Sequence, residues 1–263
     1  MKKKRNIYRL LLVLPLLFLF SANGKTEAAE VPETEESETY EWEGFSYQKD
    51  GQEVTICGYS GEGGSVVLPE AIEGIPVTKV AEKAFLENET IRSLTVGGNI
   101  KTIGGNAFAR TGLAEVVFAD GTEPLTVGNS AFYYCQGLQE IRFGNRNTIL
   151  ESYAFGHADA LTKVVLPETV EARSAEYGGG VFNGCAALRE VEAGTKMVGN
   201  WIFSNCTALK KVVLREGVQK IGKGAFSDCS RNRFGIDKKL IHSLPYIPLH
   251  SPPAAELLPP PHI

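Results

Sequence analysis

Five cysteines, Cys57, Cys135, Cys185, Cys206 and Cys229, and four histidines are the side chains of this 263-residue chain with the strongest chemistry of their own. Thiolates can ligate a metal, act as nucleophiles or close disulfides. The five form no CxxC pair and no zinc-type spacing, so no metal site is expected. Of the histidines only His157 lies in the body of the chain, while His242, His250 and His262 follow residue 240. No serine elbow or HExxH helix accompanies them, which removes the usual hydrolytic constellations. The glycine-rich stretches GEGGS (61–65) and YGGG (177–180) lack both a phosphate-loop lysine and a strand–GxGxxG–helix context, and are expected to be turns. No catalytic residue and no cofactor is assigned, and the chain is not expected to be an enzyme.

Four of the cysteines belong to a repeat. In VFNGCAALREV (181–191), Cys185 stands three residues after Phe182 and three before Leu188. Equivalent phenylalanines are Phe85, Phe108, Phe132, Phe155, Phe203 and Phe226, at successive intervals of 23, 24, 23, 27, 21 and 23 residues. The one long interval contains an insertion, ARSAEYGGG (172–180). Apolar pairs follow each anchor at Ile91/Leu94, Leu113/Val116, Leu138/Ile141, Leu161/Val164, Leu188/Val191 and Leu209/Val212. A further apolar column precedes it at Val80, Ile103, Val127, Val198 and Ile221, usually with glycine close behind. Alternation in stretches such as VVL, IRF and LTV predicts short strands. A single copy cannot bury its apolar face, whereas stacked copies share one core, so the pattern predicts a solenoid.

Within that frame the position three after the anchor holds Asn88, Thr111, Cys135, Ala158, Cys185, Cys206 and Cys229. Small residues interchange there, which predicts that cysteine acts as a buried small hydrophobe with a weak donor. A disulfide between adjacent coils among Cys185, Cys206 and Cys229 stays open as an alternative, because stacked strands bring Cα atoms within bridging range although parallel Cβ vectors disfavour closure. His157 occupies the second position after its anchor, held elsewhere by Tyr134, Gly184, Asn205 and Asp228, and is expected to be a turn residue.

The N-terminal residues speak to compartment. MKKKR and Arg9 precede an eleven-residue apolar run, Leu10–Phe20, about half the length needed to span a bilayer, and small and polar residues follow it. Residues 1–24 are therefore expected to be a cleaved secretory signal, leaving an exported chain with no stable membrane span. Residues 25–43 hold eight glutamates against one lysine and are expected to be a disordered acidic spacer. Residues 44–230 carry 17 basic and 21 acidic side chains without a basic stripe, so nucleic acid is not an expected partner.

The segments IGKGAFSDC, VGNSAFYYCQGLQEI and WIFSNCTALKKVVL, with VVLP at 164–167, resemble the BspA-like leucine-rich repeats of bacterial surface proteins. The resemblance covers about residues 44–229, including a hairpin-like opening segment from Phe45. It implies a leucine-rich repeat solenoid, a right-handed superhelix rich in β structure with short turns or helical segments, in about seven coils of 21–27 residues. It also implies a secreted or cell-surface adhesion protein that contacts extracellular or host-matrix proteins. The pattern stops after Cys229: residues 230–263 are proline-rich, with seven of the thirteen prolines beyond residue 240. This tail is expected to be disordered, either foreign sequence joined to a truncated array by a frame shift or a genuine spacer.

Strand alternation assigns the outward positions that could meet a partner. One column is Ser93, Glu115, Glu140, Lys163, Glu190 and Lys211, and the other is Thr95, Val117, Arg142, Val165, Glu192 and Val213. The candidate binding face is drawn from these: Thr95, Val117, Glu140, Arg142, Lys163, Val165, Glu190, Glu192, Lys211 and Val213. A competing expectation is that the array is only a spacer or carrier module of a larger surface protein.

Overall fold

The computed structural model describes residues 38–174 and 179–229, together with the backbone of Gly235–Ile236. The expected signal segment, residues 25–37 of the spacer, Tyr177 and most of the tail lie outside the described residues.

The chain opens with an antiparallel meander of β1 (Thr39–Trp42), β2 (Phe45–Asp50) and β3 (Glu53–Tyr59). Thr39–Trp42 were expected to end the disordered spacer, and the structure corrects that boundary. Aromatic packing outweighs the glutamates here, with Tyr40 against Tyr47 at 5.6 Å and Trp42 against Phe45 at 6.3 Å between ring centroids. The Glu43-Gly44 turn supplies positive φ at both central positions, 48° and 85°, which matches the twist of a two-residue hairpin. Strand β4 (Gly64–Val67) follows, then a second hairpin of β5 (Ala71–Ile72) and β6 (Ile75–Val80) across Glu73-Gly74.

Thereafter every coil contributes two short strands. These are β7 (Ile91–Val96) and β8 (Thr102–Ile103), β9 (Glu115–Phe118) and β10 (Leu125–Val127), β11 (Glu140–Arg142) and β12 (Thr148–Leu150), β13 (Lys163–Leu166) and β14 (Val170–Ala172), β15 (Glu190–Ala193) and β16 (Met197–Val198), β17 (Lys211–Leu214) and β18 (Lys220–Ile221). Finally β19 (Gly235–Ile236) pairs in parallel with β17, one coil further on, inside the segment expected to be a disordered tail. The result is a β-solenoid of about seven turns, with turns and no helix among the described residues. Of the two expected forms of connection, short turns and helical segments, the described residues use only the turns.

Strands β4, β7, β9 and β11 form one parallel sheet, and β13, β15, β17 and β19 another on the same side. The second side carries β3, β6, β8, β10, β12 and β14, with β16 and β18 as a separate pair. Phenylalanine turns make up the third side. Their rings stack through the core at centroid distances of 4.5, 5.1, 4.9, 5.4, 5.4 and 5.7 Å from Phe85 to Phe226. Each buried ring contributes about 1.5–3 kcal/mol by removal from water, and each offset pair about 0.5–1.5 kcal/mol more.

Backbone hydrogen bonds lock this stack. The Phe85 amide donates to the Ala107 carbonyl at 2.7 Å, Phe108 to Ala131 at 2.7 Å, and Phe132 to Ala154 at 2.8 Å. The thiols complete the pattern in the opposite direction. Cys135 Sγ donates to the Phe108 carbonyl at 3.1 Å, Cys185 to Phe155 at 3.3 Å, Cys206 to Phe182 at 3.3 Å and Cys229 to Phe203 at 3.0 Å. All five cysteines are free thiols. Burial pushes the Cys135 and Cys206 thiols up, whereas a hydrogen bond from Cys206 draws the half-buried Cys229 down.

Two further columns have local causes. The second residue after every anchor lies at positive φ, from 54° at Asp228 to 74° at Gly184, and His157 is such a turn residue at 56°. Where a glycine stands four residues ahead of the anchor, at Gly104, Gly128, Gly199 and Gly222, a neighbouring coil occupies the place of its Cβ. A Cβ on Gly128 would stand 2.8 Å from the Ile103 carbonyl oxygen, and one on Gly222 2.5 Å from the Asn200 nitrogen.

Gly128→Ala is accordingly expected to destabilise the chain by about 1–3 kcal/mol in urea unfolding, and wild-type stability would contradict so close an approach. Iodoacetamide at pH 8 should alkylate Cys229 first and reach Cys135, Cys185 and Cys206 only after unfolding. Native reactivity of those three equal to that of a free thiol would refute their place in the core.

Candidate functional site

The strand-bearing side that holds β7, β9, β11, β13, β15 and β17 presents the predicted columns in register. Ser93 pairs with Glu115 and Glu115 with Glu140, while Thr95 pairs with Val117 and Val117 with Arg142. Farther along, Lys163, Glu190 and Lys211 align, as do Val165, Glu192 and Val213. The intervening Leu94, Val116, Val164, Val191 and Val212 are buried, so period-two alternation is what turns the candidate residues outward.

The face differs from the expectation in three ways. It is two sheets rather than one, because no ladder joins β11 to β13. Only Val165 of the three valines is strongly exposed, at 39 %, whereas Val117 and Val213 are half-buried by their neighbours. The face also begins one coil earlier: Val67, 64 % exposed, pairs with Thr95, and Ser65 with Ser93. The signal for this was present in VVLP at 66–69, a copy of the stretch at 164–167.

Aromatic crowding accounts for the break. Phe118 fills the core edge-on to Phe132 and Phe155, at 6.1 and 6.3 Å. Phe143 then stacks on Phe118 at 5.3 Å and stays half-buried at the end of β11, and Ile141 is likewise only half-buried. Other coils carry Val96, Leu166, Ala193 or Leu214 at the equivalent position, none with a ring to accommodate. Between β11 and β13 opens a cleft of about 720 Å³, lined among others by Glu140, Arg142, Phe143, Lys163, Val165 and Pro167.

Charges on the face are paired laterally, from coil to coil. Arg142 contacts Glu115 and lies 3.3 Å from Glu140. Glu190 receives Lys211 at 3.0 Å and Lys163 at 3.4 Å, and Glu192 is held by Arg215. The Lys211 ammonium, followed by Lys163, holds the Glu190 carboxyl below the usual carboxylate range. Such exposed pairs order side chains more than they stabilise a fold.

A second charge, not anticipated from sequence, is structural. Arg146 is 2 % exposed, and its guanidinium donates to the carbonyl oxygens of Gly98 at 3.0 Å, Ile100 at 2.7 Å and Gly97 at 3.2 Å. It clamps the turn after β11 to a turn almost fifty residues earlier. Burial pushes this arginine down, and the three carbonyls replace its water. Among the described residues, no group of three His, Cys, Asp or Glu side chains could hold a metal ion.

The pattern described as the BspA type leucine rich repeat region, in six copies, matches residues 68–127 and 125–244. The match runs past Cys229 and includes β19. Among solved structures, the chain is similar to the T. pallidum leucine-rich repeat protein TpLRR, with a TM-score of 0.58 and 27 % identity over 77 % of this chain and 94 % of that one. It also matches the pneumococcal vaccine antigen PcpA, with a TM-score of 0.41 and 19 % identity over 73 % and 69 % of the two chains. A leucine-rich cell surface protein from Faecalibacterium prausnitzii matches with a TM-score of 0.31 and 18 % identity over 73 % and 74 %. No curated protein matches the sequence.

Arg142→Gln, Lys163→Gln and Glu192→Gln should each leave the melting temperature within about 2–4 °C of the parent, since the pairs they break are solvent-screened. A collapse as large as that of a core truncation would show that the face is structural.

Proposed function

The chain belongs to the BspA-type leucine-rich repeat family, and from that premise we propose that it is an exported or cell-surface protein whose strand face binds extracellular protein partners. The observation that carries this reading is the pair of outward columns from Val67 to Val213, in register within each of two parallel sheets whose backbone is already ordered. A pre-ordered face loses little conformational freedom on binding, so modest contacts become affinity. The cleft at β11/β13 adds a concave point to an otherwise flat sheet, with Phe143, Val165 and Pro167 as apolar contacts and Arg142 and Lys163 beside them. This combination of apolar centre and charged rim is what protein interfaces use. Export is supported by the basic and apolar residues 1–24. The face supplies complementarity and no chemistry, so the reading is non-catalytic.

The test uses the chain without residues 1–24 as bait against immobilised extracellular-matrix proteins and intact bacterial cells. Retained partners are then titrated against the triple variant Arg142→Glu, Lys163→Glu, Val165→Glu. An affinity loss of tenfold or more, which is about 1.4 kcal/mol, is expected. Undiminished attachment by a folded triple variant would move the binding site off this face.

A further inference from the structure

We propose that a trough at the corner between the phenylalanine turns and strands β7 and β9 is a saccharide site, taking a neutral pyranose. The trough, about 660 Å³, is lined by Glu89, Arg92, Arg110, Tyr134 and Gln136 over a floor that includes Gly112 and Gly137. That volume lies within the usual range of small-ligand sites.

Its polar groups are fixed before any ligand arrives. Arg92 Nη1 donates to the carbonyl oxygens of Glu89, Ile91 at 3.2 Å and Gly112 at 3.1 Å. Gly112 is required for this, because a Cβ there would lie 2.0 Å from the same nitrogen. One nitrogen thus anchors the guanidinium through neutral acceptors, and Arg92 makes no ion pair among the described residues. Arg110 is braced by Glu87 at 3.2 Å, one coil away. The Gln136 amide donates to Asp159 at 3.3 Å, which fixes the direction of its carbonyl oxygen.

An aromatic wall completes the site. His157 stacks on Tyr134 at 4.7 Å with the rings 10° from parallel, and Tyr133 meets Tyr134 edge-on at 4.7 Å. Tyr134 is still 36 % exposed and lines the trough, so part of its ring remains open to a ligand. Both Tyr134 and His157 are at positive φ, 59° and 56°, which holds successive turn side chains side by side.

The balance of charge selects the ligand. Of the trough's charged lining, Arg110 is already paired with Glu87 outside it, which leaves the Arg92 guanidinium facing a site that also contains the Glu89 carboxylate. A phosphate or sulfate would meet Glu89, and an apolar peptide side chain would cover the Glu89 carboxylate without offering it a donor. A neutral sugar satisfies both demands. Its C–H face covers the Tyr134 ring, while adjacent hydroxyls donate to Glu89 and to the Gln136 carbonyl oxygen and accept from Arg92.

A glycan array bearing neutral hexose and N-acetylhexosamine oligosaccharides beside sialylated and sulfated ones tests this with the chain lacking residues 1–24. Neutral glycans should be retained, and calorimetry with one of them should show at least a tenfold loss for Tyr134→Ala, retention for Tyr134→Phe, and several-fold losses for Arg92→Lys and Gln136→Ala, all with unchanged circular dichroism. Retention of acidic glycans alone, of none, or equal binding by folded Tyr134→Ala and Gln136→Ala overturns the proposal. The trough shares no residue with the strand face, so its failure leaves the protein-binding reading standing.

Discussion

Stacking of one phenylalanine on the next, with its amide bonded forward to the following coil and, at Phe108, Phe155, Phe182 and Phe203, its carbonyl capped by that coil's cysteine, is the contact on which the rest of the molecule depends. A β-solenoid has few contacts beyond nearest neighbours, so its stability is a sum of interfaces between coils. In this chain each interface is anchored on the turn side by one ring pair at 4.5–5.7 Å and on the strand sides by short parallel ladders. Strands of two to seven residues could not stand alone, and the aromatic column gives them a common inner wall.

The cysteines illustrate how a reactive side chain becomes structural. At the third position after the anchor a side chain must be small, must tolerate full burial, and gains if it can donate to a carbonyl about 3 Å away. Cys135, Cys185 and Cys206 meet all three conditions. Thr111 does the same with its hydroxyl, donating to the Phe108 carbonyl of its own coil at 2.9 Å, while Ala158 meets only the first two conditions. Where desolvation is this complete the thiolate is suppressed, and reagents reach only the half-buried Cys57 and Cys229, of which Cys229 is the one drawn down.

Regular coils supply a ruled surface, and departures from regularity supply its sites. Phe118 and Phe143 add rings where other coils have aliphatic side chains, and the strand face parts into two sheets with a cleft between them. Gly112 and Gly137 remove side chains at a corner, and a trough lined by pinned polar groups appears. The first suits a protein surface with a flat sheet and one recess. The second suits a small polyhydroxylated ring.

The amino-acid sequence by itself determined the period, the inward phenylalanine, leucine and valine columns, the small residue three after each anchor, and the turn conformation at His157. These follow from composition repeated locally, because each coil meets the same environment and must answer it with the same residue type. Outward assignment of Thr95, Glu140, Arg142, Lys163, Glu190, Glu192 and Lys211 was legible for the same reason, since strand alternation leaves one choice once the inner column is known. Thr39–Trp42 was misjudged because eight glutamates in the segment hid the packing of Tyr40 and Trp42 on residues that follow. Only the tertiary structure decided the β11/β13 break, the capture of Arg146 by carbonyls 46–49 residues away, and the meeting of Arg92 with Tyr134. Each depends on how one coil differs from its neighbour, and a difference between coils has no period from which it could be read.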